Sequence, residues 1–135
     1  MKKIQNLSFI VALCTVIALS GCKKYEDGPG FSLNSKKARL SADWEFKKVL
    51  INSLDVTSDF FGYSWEIKKD GGFKLISDGF IESGNWEFVS DKEAIDFDYS
   101  DGYIERYSIK RLTSKELWIE NIDDGDTLYL ELTAK

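Results

Sequence analysis

Asp-Gly recurs four times between short runs that alternate apolar and polar residues, and this punctuation constrains the fold more than any other feature of the chain. The pairs are Asp70-Gly71, Asp78-Gly79, Asp101-Gly102 and Asp124-Gly125. Asp-Gly suits tight hairpins, because both central positions of the favoured turn need positive φ. The runs between them lie at 63–68, 73–75, 86–88, 95–99, 107–110, 117–120 and 128–132, with Ile95-Asp96-Phe97-Asp98-Tyr99 the cleanest. Period-two alternation sends one set of side chains to a core and the other to water. Ser90-Asp91-Lys92 and Thr113-Ser114-Lys115 supply two further turns. The pattern predicts strands over 43–51, 60–69, 72–77, 80–89, 93–99, 103–112, 116–121 and 127–133. No helix-length gap separates them, so consecutive strands pair antiparallel. The expected class is all-β: an eight-stranded up-and-down meander that closes into a barrel and so removes its edges. A two-sheet sandwich is the alternative. Before the strands, Asn34-Ser35 can cap a short helix running to about Leu40.

The first 33 residues read differently. Met1, Lys2 and Lys3 are followed by a mostly apolar run over 4–19, interrupted by Gln5, Asn6 and Ser8. That run is too short and too polar for a comfortable membrane-spanning helix. It ends at Leu19-Ser20-Gly21-Cys22, a bacterial lipobox. The expectation is a lipoprotein signal peptide over 1–21, cleavage before Cys22, and acylation of Cys22 with palmitate-type chains. Several acyl chains on one residue suit stable anchoring, since a single chain holds a membrane only marginally. Cys14 would be discarded and the Cys22 thiol consumed, leaving no disulfide and no thiol chemistry. Residues 22–33 form a charged tether carrying the one proline, Pro29, and residues 34–135 form the domain. Removing 21 of 135 residues leaves 114, and removing two lysines with no acid takes the net charge from −5 to −7. That length supports one core without staples. A negative domain without histidine is a poor fit to nucleic acid.

Several motifs resemble those of the small lipocalin-like lipoproteins of the Bacteroidota. They are the short helix before Ala42-Asp43-Trp44, the segment Gly84-Asn85-Trp86-Glu87-Phe88, the run 107–118 from Tyr107-Ser108-Ile109-Lys110 to Glu116-Leu117-Trp118, and the lipobox. The likeness covers nearly all of the mature chain. It implies a lipocalin-like barrel with room for an internal ligand. Lys23 after the cysteine and the nearby Glu26-Asp27 fit an outer-membrane location on the periplasmic or cell-surface side, and the expected role is non-enzymatic. Ala42 stands where a lipocalin's first strand has glycine, and no lipocalin ligand site is carried over.

Little in the chain points to catalysis. The absence of histidine removes the commonest general base and a common metal ligand. Asp96 and Asp98 share a strand face as a glycosidase pair would, but they oppose Ile95, Phe97 and Tyr99 and should point to solvent. The aromatics are a stronger signal. Trp44, Phe46, Tyr63, Trp65, Phe73, Trp86, Phe88, Phe97, Tyr99 and Tyr107 share the inward phase, and an eight-stranded barrel either fills with such side chains or holds one small ligand. Trp44, Tyr63, Trp65, Trp86, Phe88, Phe97, Tyr99 and Tyr107 are the candidate cavity residues. Trp118 should face outward, with Tyr129 on the next strand.

Connectivity adds a charge argument. In a meander the loops 52–59, 78–79, 100–102 and 122–126 share one end, bringing together Asp55, Asp59, Asp78, Asp101, Asp123, Asp124 and Asp126, with Asp98 at a strand tip, and no lysine or arginine. The other end collects Lys36, Lys37, Arg39, Lys68, Lys69, Lys92, Lys110, Arg111 and Lys115, diluted by Asp43, Asp70, Asp91, Glu93 and Glu116, and the tether and helix enter there. The expectation is an acidic open mouth, pointing away from the membrane and favouring a cationic ligand or partner. Turn-favouring aspartates explain these loops without a metal, and no cofactor is expected. The leading reading is a membrane-anchored protein that binds a small apolar or amphipathic ligand, or a partner, at the barrel mouth. The rival is an interaction or inhibitor protein with a filled barrel that acts through its loops.

Overall fold

The computed structural model describes residues 35–135; the expected leader, Cys22 and the tether lie outside them. The order is helix α1 (Lys36–Leu40), β1 (Asp43–Ile51), β2 (Leu54–Asp55), a 3-10 turn (Thr57–Phe60), β3 (Ser64–Ile67), β4 (Gly72–Ser77), β5 (Phe80–Val89), β6 (Ala94–Tyr99), β7 (Ile104–Leu112), β8 (Glu116–Asp123) and β9 (Asp126–Ala134). Eight strands, all but β2, pair antiparallel in chain order, and β1 pairs with β9 to close the ring. The chain is an all-β, lipocalin-like barrel rather than a two-sheet sandwich. β2 is a ninth strand, appended to β1 through Leu50–Asp55 and Ile51–Leu54. No helix among the described residues is long and apolar enough to cross a membrane.

The turns explain the register. Asp78-Gly79 and Asp124-Gly125 have positive φ at both residues, 40° and 86° in one and 48° and 86° in the other, as two-residue hairpins require. Asp70-Gly71 and Asp101-Gly102 are built differently. Only the glycine is left-handed, and the Asp carboxylate accepts an N–H two residues on, Gly72 at 2.9 Å and Tyr103 at 3.0 Å.

The expected strand over 60–69 is shorter, because 52–60 folds locally. Asn52 and Ser53, both with positive φ, turn β1 into β2. Asp55 accepts the Thr57 N–H, and Thr57 Oγ1 accepts the Val49 N–H at 3.0 Å. The Val56 N–H donates to Val49 O at 3.0 Å. These bonds satisfy the stretch of β1 that β3 does not reach. Between Phe46 and Lys48 the β1 register shifts, so Val49 enters the core and Lys48 stays outside.

One end of the barrel is closed by α1. Ser35 Oγ accepts the Ala38 N–H at 3.1 Å, capping the helix. Five residues make no stable helix alone; tertiary contacts hold this one. Leu40 is fully buried, and Trp44 Nε1 donates to its carbonyl at 2.8 Å. Arg39 donates to Leu112 O, and Lys36 donates to Lys92 O and pairs with Glu93 at 3.7 Å. Above this floor lies a filled layer that includes Trp44, Phe73, Ile95, Phe97, Leu117, Ile119 and Leu132.

Candidate functional site

The barrel is filled at the α1 end and open at the other. The open half holds a cavity of about 460 Å³. Its walls come from every barrel strand except β8: Phe46 on β1, Phe60 in the 3-10 turn, Tyr63 and Trp65 at β3, Leu75 on β4, Glu82 on β5, Tyr99 on β6, Glu105 and Tyr107 on β7, and Leu128 and Leu130 on β9. Ile81, Ser83, Ser100, Asp101 and Tyr103 complete its rim.

Of the eight candidate cavity residues, Tyr63, Trp65, Tyr99 and Tyr107 line this space. The other four pack below it. Trp44 is consumed at the floor by Leu40. Trp86 Nε1 donates to Lys68 O at 2.7 Å, and its ring meets Phe88 edge-on at 5.2 Å. Lys37 and Lys36 lie over the Trp86 and Phe88 rings, at 5.9 and 6.0 Å. Phe97 is fully buried beneath Trp65, the two rings stacked at 4.5 Å. The helix sets this division. It covers the lower rings and leaves the upper ones without a lid.

The cavity wall is a continuous run of rings. Phe60 meets Tyr63 edge-on at 5.0 Å, Phe46 lies 5.8 Å from Trp65, and Trp65 meets Tyr107 edge-on at 5.7 Å. Such contacts stabilise beyond the area they bury, by about 0.5–1.5 kcal/mol each. Trp65 carries one unmet group: its Nε1–H is buried and has no hydrogen-bond partner.

Glu105 was not among the candidates, yet it sits in the wall. It shares the inward phase of β7 with Tyr107, and Tyr99 donates its hydroxyl hydrogen to Glu105 Oε2 at 2.9 Å. Burial first, and the Glu105 charge second, push the Tyr99 and Tyr107 hydroxyls well above the ordinary tyrosine range. The more exposed Tyr103 is raised first by the Glu105 charge. Glu105 is visible in the sequence as the middle of Tyr103-x-Glu105-x-Tyr107. A search for apolar alternation passes over it.

The acidic loops do meet at the open end. Asn52 Nδ2 donates to Asp126 Oδ1, and the Thr127 N–H donates to Asn52 Oδ1, both at 2.9 Å. The Ser100 N–H donates to Ser83 O at 3.0 Å, joining the β4–β5 and β6–β7 sides. Of the expected acidic residues, Asp101 reaches the cavity. Asp55, Asp59, Asp78, Asp123, Asp124 and Asp126 are exposed around it, and Asp98 is exposed on the outer face. The Thr57 hydroxyl and N–H hold the Asp55 carboxyl below its usual range. Among the described residues, no three carboxylates converge as a metal site would need.

An apolar rim accompanies the charge. The large apolar side chains most open to solvent among the described residues are Ile51, Leu54, Phe61, Phe80, Ile81, Tyr103, Ile104 and Ile122. All of them sit at the mouth end of their strands or in its loops. Trp118 does face outward, but the Arg111 guanidinium lies 5.0 Å over its ring, and it forms no open patch. Asp96 also faces outward, with both its oxygens on Arg106 at 2.7 and 2.8 Å, which holds its carboxyl below the usual range. Neither Asp96 nor Asp98 lines the barrel cavity. A scan of protein-family models finds none that matches this chain, and a search of curated proteins finds no match either.

Proposed function

We propose that the protein is a membrane-anchored, non-enzymatic binding module, akin to the small lipocalin-like lipoproteins, that holds a small apolar or amphipathic ligand in the open half of its barrel. The observation that carries this reading is the cavity of about 460 Å³, walled by rings and leucines and open at the end away from α1. Its size falls in the usual range for small-molecule sites, about 300–1,000 Å³. The lipobox and tether support an anchor at Cys22 in the outer membrane, on the periplasmic or cell-surface side. A second reading is favoured by the apolar rim: the loops dock a partner protein directly, as an accessory subunit or inhibitor would.

The two readings separate on one variant. Leu128→Trp, on the cavity wall, should fill the space and leave the rim intact. Mass spectrometry of small molecules carried by natively purified protein should find a ligand in the wild type and lose it in the variant. If the variant carries the same molecule in the same amount, the cavity is not its seat. If the wild type carries nothing and takes up no apolar probe, the partner reading replaces the ligand reading.

A further inference from the structure

The cavity wall contains a charge that the protein does not answer. Glu105 is half-buried on the inward face of β7, where an apolar residue would complete the wall. Its hydrogen-bond partners are the neutral hydroxyls of Tyr99 and Tyr107. The ion pairs among the described residues engage Glu45, Glu93, Asp96, Glu116, Glu120 and Glu131. None of these pairs uses Glu105, nor Glu82 or Asp101, which also line the cavity. Taking a carboxylate out of water with no counter-charge is costly. A wall built only to hold a neutral apolar molecule would be more stable with leucine there.

The surroundings define what answers the charge. The segments 52–63, 78–83, 100–105 and 122–128 carry nine carboxylates and no lysine or arginine. An anion is repelled at this entrance, and a cation is drawn to it. Inside, Glu105 accepts from Tyr99 and Tyr107, and the Trp65 ring meets Tyr107 edge-on at 5.7 Å. A ring face attracts a cation most strongly where water is excluded, and aromatic cages are the known recognition device for quaternary ammonium groups. The leucines on β4 and β9 leave apolar wall for the rest of such a molecule.

We propose that the cavity selects an organic cation, an ammonium group carrying a short apolar body, with its charge seated against Glu105 among the rings of Trp65, Tyr103 and Tyr107. The inference rests on the ligand-binding reading above and narrows it to one charge class. Nitrogen substitution is left open by the geometry. Ammonium N–H groups would donate to Glu105, and methylated nitrogen would rest on the rings.

The test uses three water-soluble probes of one chain length: hexyltrimethylammonium, 1-hexanol and hexanoate. The full chain is held in an uncharged amphipol and titrated by calorimetry, with tryptophan fluorescence as a second reading. The ammonium should bind at least tenfold more tightly than hexanol, equivalent to about 1.4 kcal/mol, and hexanoate should bind most weakly. Glu105→Gln should bring the ammonium down to the affinity of hexanol and leave hexanol within twofold. Tyr103→Leu, which keeps the carboxylate and removes a ring, should weaken the ammonium severalfold and spare hexanol. It keeps the test open if the Glu105 variant fails to fold by near-UV circular dichroism. Equal binding of all three probes, or equal loss of ammonium and hexanol in the variants, overturns the cation inference and leaves the cavity reading standing. Failure of the wild type to bind any probe overturns both.

Discussion

At the residue scale, Gly84 shows how closely this barrel is drawn. A Cβ built there would lie 1.9 Å from Asp98 O and 3.0 Å from the Phe73 ring. The first of these contacts is backbone on a paired strand, which cannot swing away. Gly84→Ala should therefore cost more than the about 1–3 kcal/mol usual for overpacking, and denaturant titration should show it as a fall in midpoint. A midpoint within error of wild type would mean that β5 and β6 part more easily than their pairing implies. The tyrosines give a pH signature. Tyr99 and Tyr107 have hydroxyls raised in the folded state, so folding favours their neutral forms. Their contribution is intact below the unfolded value of about 10, and it is lost as pH climbs from there toward the folded values. Ultraviolet titration should show two tyrosines that ionise only as the protein unfolds. Ionisation of every tyrosine near pH 10 with the fold intact would contradict the burial of this pair. Which face each residue takes was legible from alternation alone, as Ile95, Phe97 and Tyr99 show. Glu105 was not legible, because a charge on the inward phase violates the pattern used to find that phase. The pairing of Asp96 with Arg106 was also hidden, since it depends on which residues of β6 and β7 face each other.

At the element scale, most strand boundaries follow from the turns, and turn chemistry is local. Asp78-Gly79 and Asp124-Gly125 place the ends of β4, β5, β8 and β9 within about two residues of where the sequence alone puts them. The segment 52–63 is the exception. It has no alternation to read, and its shape depends on Thr57 reaching back to Val49 and on Asn52 meeting Asp126, the second a contact that exists only once the barrel has closed. Its presence leaves a weak seam. β1 shares three register pairs with β3 and seven with β9. Local opening should begin where paired backbone is shortest. Hydrogen exchange should find the Phe46 and Val49 amides, which donate to Tyr63 O and Thr57 Oγ1, at least tenfold less protected than those in the middle of β9. Uniform protection around the ring would show that the 52–63 segment seals the seam as firmly as a strand does.

At the scale of the whole molecule, closure was legible from strand count and turn spacing, because eight short antiparallel strands leave two raw edges unless they meet. The cavity was not. Ten rings on the inward phase fill or spare an interior according to their volumes and to where the helix sits, and neither is written in the alternation. The proposed anchor at Cys22 lies outside the described residues and is tested directly. Cys22→Ala removes the acceptor thiol, so metabolic labelling should show no palmitate on the variant and no cleavage at 21–22; label equal to wild type would remove the lipoprotein reading. The Lys135 N–H donates to Asp43 O at 2.9 Å, so the far end of β9 lies beside the start of β1, on the α1 side. A reporter or surface linker joined after Lys135 leaves from the plugged face. A sensor chip coated through that residue would present every copy with its opening turned toward the flowing solution.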